Sequence, residues 1–271
     1  MQHFLVTKFN LRIEGWETTR DGYPVLTEHW LKNRFYLFEN YCLPSVINQT
    51  NQNFIWFVFF DINTPNTYRD RINNISNNFT CFHPIFIDRG IKLIDSLIDN
   101  IKKTISKVDD YIITTRLDND DLIHKDFIKV IQDLYKPIDK AIIDLRKGYQ
   151  VTLGQKYSEI RVRVNYFNPF ISLIEKTNNI STVLSRLHKE WKSSDFIIKS
   201  ETEKLWVELV HQENKSNYTK KSLKRTFRIN KLDFGLTNQS GFKERTISVF
   251  LTRLKIDLIR IFNRIFWPVK E

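Results

Sequence analysis

Three carboxylates stand within four residues at Asp118-Asn119-Asp120-Asp121, directly after the apolar run Tyr111-Ile112-Ile113-Thr114-Thr115-Arg116-Leu117. The aliphatic and β-branched residues of that run predict a buried strand. Its acidic tip then falls at the carboxyl edge of a parallel sheet, where ligands of open α/β sheets bind. In an extended segment Asp118 and Asp120 point to one side, within reach of a single hard divalent cation. Mn²⁺ or Mg²⁺ takes one or two carboxylates plus substrate phosphates, so this D-x-D suggests a site for a phosphorylated donor. The competing reading is a solvated turn capping a helix that starts near Lys125, because Asp favours turns and N-caps.

The elements that would position these acids follow from the apolar pattern. Strands are expected at 3–9, at 54–60 ending in Asp61, at 81–87 ending in Asp88, at 111–117 and at 140–145. Helices are expected at 28–49, bent or split by Pro44, and at 64–75, 91–108 and 125–135. Strands alternating with helices argue for βαβ units, hence an α/β fold with a mostly parallel mixed sheet. Three successive strands ending in Asp61, Asp88 and Asp118 place several acids on one edge. Alternation of polar and apolar residues at 160–164 predicts an antiparallel or edge strand on the acceptor side.

At 271 residues the chain can hold one large domain with a tail. Two cysteines, Cys42 and Cys81, are too few for a metal cluster or a disulfide framework, which points to a reducing compartment. The start of the chain has no basic segment followed by an apolar core, and no apolar run reaches the ~20 residues that span a bilayer. The net charge of +11 calls for an anionic partner. Much of that charge falls late, in a basic stretch at 215–231 and in an apolar repeat at helical spacing from 243 to 267 flanked by Arg253, Arg260 and Arg264. Such a helix suits an anionic membrane surface, or else docks on protein. The division expected is a domain at 1–217, a basic linker at 218–242 and an amphipathic helix at 243–271. An acidic sheet edge repels nucleic acid, so no nucleic acid is expected as partner.

Ser45-Val46-Ile47-Asn48-Gln49-Thr50, followed by a strand ending in Asp61, resembles the S-x-x-x-Q-T signature of inverting GT-A glycosyltransferases. The segments His29-Trp30-Leu31, Arg34-Phe35, Cys42-Leu43-Pro44-Ser45, Trp56, Thr64-Pro65, Thr114 to Asp121, Asn168 to Glu175, and Trp206 to Asn214 are similar to the putative rhamnosyltransferase family of bacteria. The resemblance covers roughly residues 3 to 217. It implies a GT-A-like, Rossmann-like sheet, with Thr7, Asn10 and Asp61 at the nucleotide and Asp118 toward the ribose or metal. Asp120, and after it Asp121, would bind the metal, completed by His211, with His188 competing for that role. Arg12, Arg89, Asp88 and Arg116 are candidates at strand ends, where an Arg either holds phosphate or pairs with an Asp. Glu175 is the first candidate for the base, with Glu190 and Asp195 as alternatives.

The resemblance thus implies metal-assisted, inverting transfer of a sugar, rhamnose by the family's name, in bacterial surface polysaccharide synthesis. The partners would be a nucleotide-sugar donor, a glycan or lipid-linked glycan acceptor, and the inner face of the membrane, to which a cytoplasmic enzyme attaches peripherally. Two rival readings are a pseudoenzyme that binds a glycan or partner without turnover, and a nucleic-acid-binding protein.

Overall fold

The chain's computed structural model describes residues 1–237 apart from 13, 14, 16, 89, 107, 155, 156 and 228. The expected helix at 243–271, the last part of the expected linker and Arg89 lie outside the described residues. The strands run β1 (Gln2–Lys8), β2 (Ile55–Asp61), β3 (Phe82–Ile87), β4 (Tyr111–Arg116), β5 (Leu122–Ile123), β6 (Ala141–Leu145), β7 (Lys147–Thr152), β8 (Glu159–Val164), β9 (Ser172–Lys176), β10 (Ile197–Ser200) and β11 (Trp206–Val210). The helices are α1 (Glu28–Leu37), α2 (Leu43–Ile47), α3 (Asn66–Asn78), α4 (Leu93–Thr104) and α5 (Phe127–Asp133).

Seven strands form the main sheet in the order β10-β6-β9-β4-β1-β2-β3. All run parallel except β9, which is antiparallel to both β4 and β6. The α/β class and the mixed, mostly parallel sheet are those expected. The central strands carry near-continuous apolar runs because both faces are covered. On one face Trp30, Leu31, Phe35 and Phe38 pack on Trp56, Val58 and Phe60. On the other, Leu97 and Ile101 of α4 cover Phe4, Val6, Phe57 and Phe59.

The expected bend at Pro44 takes a defined form. Proline has no N–H to donate back along the helix. Between α1 and α2 the chain widens into a π turn at Phe38–Cys42, closed by the Leu43 N–H to the Phe38 carbonyl.

A second sheet, in the order β5-β11-β7-β8, lies beside the first. The expected strand at 160–164 is its edge strand β8, antiparallel to β7. Residues 218–237 are no free linker. Lys220 N–H donates to Gln150 (2.8 Å), Val162 N–H to Lys224 O (2.9 Å), and Arg161 to Lys221 O (2.9 Å). Phe234 and Leu236 then bury themselves with Leu37, Tyr41 and Tyr149. Gly235 makes that turn at φ +69, and a Cβ there would lie 2.2 Å from the Pro44 carbonyl oxygen. Glycine alone fits this left-handed position. A basic composition disguised a segment whose backbone completes the second sheet.

Candidate active site

In the main sheet β1 is flanked by β4 on one side and β2 on the other, so the chain order reverses there. Crevices form outside the carboxyl ends of strands at such a point. A cleft of about 800 Å³ occupies it, lined by Lys8, Arg12, Asp61, Asp88 and Arg116 from the strand ends, and by Arg186 and Glu190 from the opposite wall. Apolar groups, among them Leu11, Ile87 and Ile91, line the part near β3. A second hollow of about 680 Å³, beside His124 and Asp233, holds none of the expected site residues.

The D-x-D follows β4 as a turn rather than as extended strand. Leu117 N–H bonds to Val6 O (3.0 Å) and Asp121 N–H to Asp118 O (3.3 Å). Asn119 ties the turn to β1 by donating to Phe9 O at 2.8 Å. The three acids therefore part company. Asp118, about a third exposed, accepts from Arg116 at 3.1 and 3.3 Å. Asp120 is buried, and its Oδ2 meets Arg34 Nη1 at 2.9 Å, His211 Nε2 at 2.8 Å and Asn214 Nδ2 at 3.2 Å. Burial pushes its pKa upward, yet the Arg34 charge and the His211 hydrogen bond hold it well below the usual carboxylate range. Asp121 goes the other way. It accepts from Leu209 N–H at 2.8 Å, and burial together with the Asp120 and Asp118 charges raises its pKa far above the ordinary value.

Asp118, Asp120 and His211 are of the residue types that bind Mn²⁺ or Mg²⁺, but the structure does not gather the three at one point. Among the described residues no three His, Cys, Asp or Glu side chains are placed to hold one metal ion, and Asp118 and Asp120 pair with Arg116 and Arg34 instead. Asp121 is buried and turned to the Leu209 N–H, away from the bonds that Asp118 and Asp120 make with their arginines. His211 sits in the turn after β11, where its N–H bonds to Asn214 Oδ1.

Other expected residues divide as sharply. Arg12, Asp61, Asp88, Arg116 and Glu190 line the cleft. Thr7 does not, since it is fully buried and accepts from Trp56 Nε1 at 2.9 Å. Asn10 is buried and accepts from Asp61 N–H (3.1 Å) while donating to Thr64 (3.0 Å), so it holds β1 against β2. Glu175 is wholly buried on β9, paired in register with Ile112 at the far end of β4 from Asp118. Its oxygens take Lys140 Nζ (3.2 Å), Ser181 N–H (2.9 Å) and Thr182 N–H (2.9 Å). That placement removes Glu175 from contact with the cleft and makes it the anchor of the loop leading to Arg186 and Glu190. Thr182 in that loop has φ 71, a strained backbone that the Glu175 bonds help to hold. Asp195 is exposed and does not line the cleft.

Sequence reasoning passed over Lys8, Lys92, Arg186 and Asn214, and gave Arg34 no role. Burial and the nearby Arg116 charge lower the Lys8 pKa, with Asp118 opposing, which places all three groups together. The His188 ring, its Nδ1 bonded to Phe167 O, feels the same Arg116 and Asp118 charges. Arg34 did carry a signal, since a cation on the apolar stripe of Trp30, Leu31 and Phe35 requires a buried anion.

The structure of S. aureus TarS 1–349 in complex with UDP-GlcNAc shares 14% identity with this chain, covering 81% of it and 62% of TarS 1–349, at a TM-score of 0.46. This chain thus spans about three fifths of that structure's length. A longer S. aureus TarS structure gives 13% identity, 78% and 37% coverage and a TM-score of 0.45. A putative glucose-1-phosphate thymidylyltransferase from Bacillus anthracis gives 7% identity, 76% and 88% coverage and a TM-score of 0.35. No curated protein matches the chain. The family model described as putative rhamnosyl transferase matches residues 6–223, a span that takes in the end of β1, the D-x-D turn, β11 and His211, and the chain belongs to that family.

Proposed function

We propose that the protein transfers a sugar from a nucleotide-sugar donor to a hydroxyl of a glycan or lipid-linked glycan acceptor, with inversion. One observation carries this reading: Lys8, Arg12, Arg116 and Arg186 converge on the same cleft as the strand-end acids Asp61 and Asp88, and Arg116 among them pairs with Asp118 of the D-x-D. Cations of this kind bind and neutralise a diphosphate, while acids at a sheet edge suit ribose hydroxyls. The apolar groups near β3 offer a surface for the base.

On this reading Asp61 and Asp88 hold the nucleoside, while Lys8, Arg116 and Arg186 face the diphosphate. Asp118, Asp120 and His211 would hold Mn²⁺ or Mg²⁺ only if the two acids left the arginines that now pair with them, and such an ion would add positive charge at the leaving group. Glu190 is the carboxylate on the opposite wall. One of its oxygens accepts from Leu187 N–H at 2.8 Å, fixing its orientation at the start of a short helical turn. It takes the acceptor hydroxyl's proton as that oxygen attacks the anomeric carbon and the nucleoside diphosphate departs. Surface polysaccharide synthesis, with rhamnose as the sugar, remains the expectation carried by the family's name.

The test is nucleotide release from UDP-, GDP- and dTDP-sugars by the full chain, with and without Mn²⁺. Release that depends on Mn²⁺ and is lost in Asp118→Asn supports the proposal. A chain whose melting temperature none of these donors moves, and which releases no nucleotide, refutes it in favour of a glycan- or partner-binding pseudoenzyme.

A further inference from the structure

The basic stretch at 215–231, which no Asp or Glu interrupts, runs across the polar face of the second sheet. Strand alternation sets Glu208 of β11, Gln150 of β7 and Arg161 of β8 side by side on that face, with Arg163 two residues further along β8. All four are buried. The acids of this face are already used: Glu208 takes Arg163 and Gln150 (2.7 Å), and Glu159 takes Arg161 and Arg225. Gln150 also pins the chain that crosses it. Its amide donates to Tyr218 O at 3.2 Å and accepts from Lys220 N–H at 2.8 Å, while Thr152 bonds Thr219 between them at 2.8 Å.

That bracket fixes Lys220 and leaves the Tyr218 ring exposed. Burial lowers the Lys220 pKa, and the Arg163 and Lys189 charges act in the same direction. Burial lowers the His188 pKa as well, helped by Arg116 and again by Lys189. Lys189 thus stands between the basic stretch and the cleft wall, one residue before Glu190. Among the described residues no acid forms an ion pair with Lys189 or Lys220. Like charges collected beside a buried arginine repel one another, and an anion seated among them relieves that cost.

We propose that the acceptor is a glycan bearing an acidic group, phosphate or carboxylate, which Lys189 and Lys220 hold beside the cleft. This rests on the glycosyl-transfer reading above. Position assigns the pair to the acceptor. Lys8, Arg12 and Arg186 already supply positive charge within the cleft for a donor's diphosphate, whereas Lys189 and Lys220 stand outside its lining, next to the carboxylate assigned to the acceptor hydroxyl. Ammonium groups bind as point charges without demanding one geometry, so phosphate and carboxylate both qualify. The exposed Tyr218 ring offers a sugar an apolar face beside them.

The experiment is binding of labelled maltohexaose, plain or phosphorylated, and of an oligogalacturonate to the full chain at about 0.1 M salt. Wild type is expected to bind at least one acidic oligosaccharide about tenfold more tightly than the plain one, and the one it prefers identifies the acid. Lys189→Gln combined with Lys220→Gln should lose that preference. Lys221→Gln combined with Lys224→Gln removes the same charge from exposed positions of the basic stretch and should keep it. No preference in wild type overturns the proposal, as does equal loss in the two double variants, which would make the attraction diffuse. If the first double variant does not fold, the wild-type comparison still decides. Binding of phosphatidylglycerol vesicles that this variant loses, with no binding of acidic oligosaccharides, assigns the lysines to a membrane and overturns the proposal as well. Nucleotide release from a donor separates the two readings. Release without any preference among the oligosaccharides removes the acidic acceptor alone, whereas a preference without release refutes glycosyl transfer and the acceptor role with it, leaving a site that binds acidic glycans.

Discussion

Glu175 lies wholly inside the protein with Lys140, Ser181 and Thr182 on its two oxygens, so replacing it is a test of stability. Removing this acceptor leaves the Ser181 and Thr182 N–H groups unsatisfied, and Glu175→Ala should cost on the order of 3 kcal/mol in urea denaturation. Glu190 is exposed at the cleft wall, and Glu190→Gln should leave stability unchanged while lowering turnover by roughly 10² to 10⁴ at unaltered donor affinity. Near wild-type turnover in that variant would remove Glu190 as the base. His3 offers a pH signature. It is buried between Thr115 (2.8 Å) and Gln132 (3.4 Å), and burial lowers its pKa from 6.5 to about 3. The unfolded chain takes up this proton below its ordinary pKa and the folded chain does not. The neutral ring's contribution is thus intact above pH 6.5 and is lost as pH falls toward about 3. The slope from this group approaches about 1.4 kcal/mol per pH unit, and His3→Gln should flatten that part of the stability profile.

At the scale of elements, the strap from 218 to 237 decides where the domain ends. It bonds along β7 and β8 and places Phe234 and Leu236 in the core of the second sheet. Losing one large buried apolar side chain costs about 3 to 5 kcal/mol. A chain ending at Asn217 should therefore melt far below wild type, whereas one ending at Thr237 should melt close to it, as read by circular dichroism. Equal melting of the two would make the strap dispensable. Gly235→Ala tests the same junction by forcing a Cβ against Pro44.

For the molecule as a whole, the charge of +11 is not gathered at the cleft, where Lys8, Arg12, Lys92, Arg116 and Arg186 are offset by Asp61, Asp88, Asp95 and Glu190; much of it falls in the basic stretch at 215–231 and in a tail that lies outside the described residues. Among the described residues no helix is long and apolar enough to cross a membrane. The tail from 243 onward is proposed to hold the enzyme on the anionic inner face of the membrane. Each basic residue near such a surface contributes about 1 kcal/mol, screened by salt, and Leu, Ile and Phe side chains entering the interface would add a part that salt leaves alone. A chain ending at Gly241 should keep activity on a water-soluble acceptor and lose sedimentation with phosphatidylglycerol vesicles. Unfolding of that chain would assign the tail to the fold instead.

The sequence by itself determined the alternation of strands and helices, the acids at the strand ends and the family. Apolar periodicity and turn chemistry are local properties that survive without a fold. Even the bend at Pro44 was legible, because a missing N–H acts wherever it stands. Partnership was not legible. Asp118, Asp120 and Asp121 are near neighbours of one type, yet they end as a partly exposed carboxylate paired with Arg116, a buried carboxylate held well below its usual pKa and a buried acid raised well above it. Those fates depend on Arg34, Arg116, Leu209 and His211, up to about ninety residues away in the chain, and on how much water each carboxylate loses. Glu175 and Glu190 were likewise interchangeable as letters. Only the antiparallel insertion of β9 put one at the far end of the sheet and carried the other to the cleft wall.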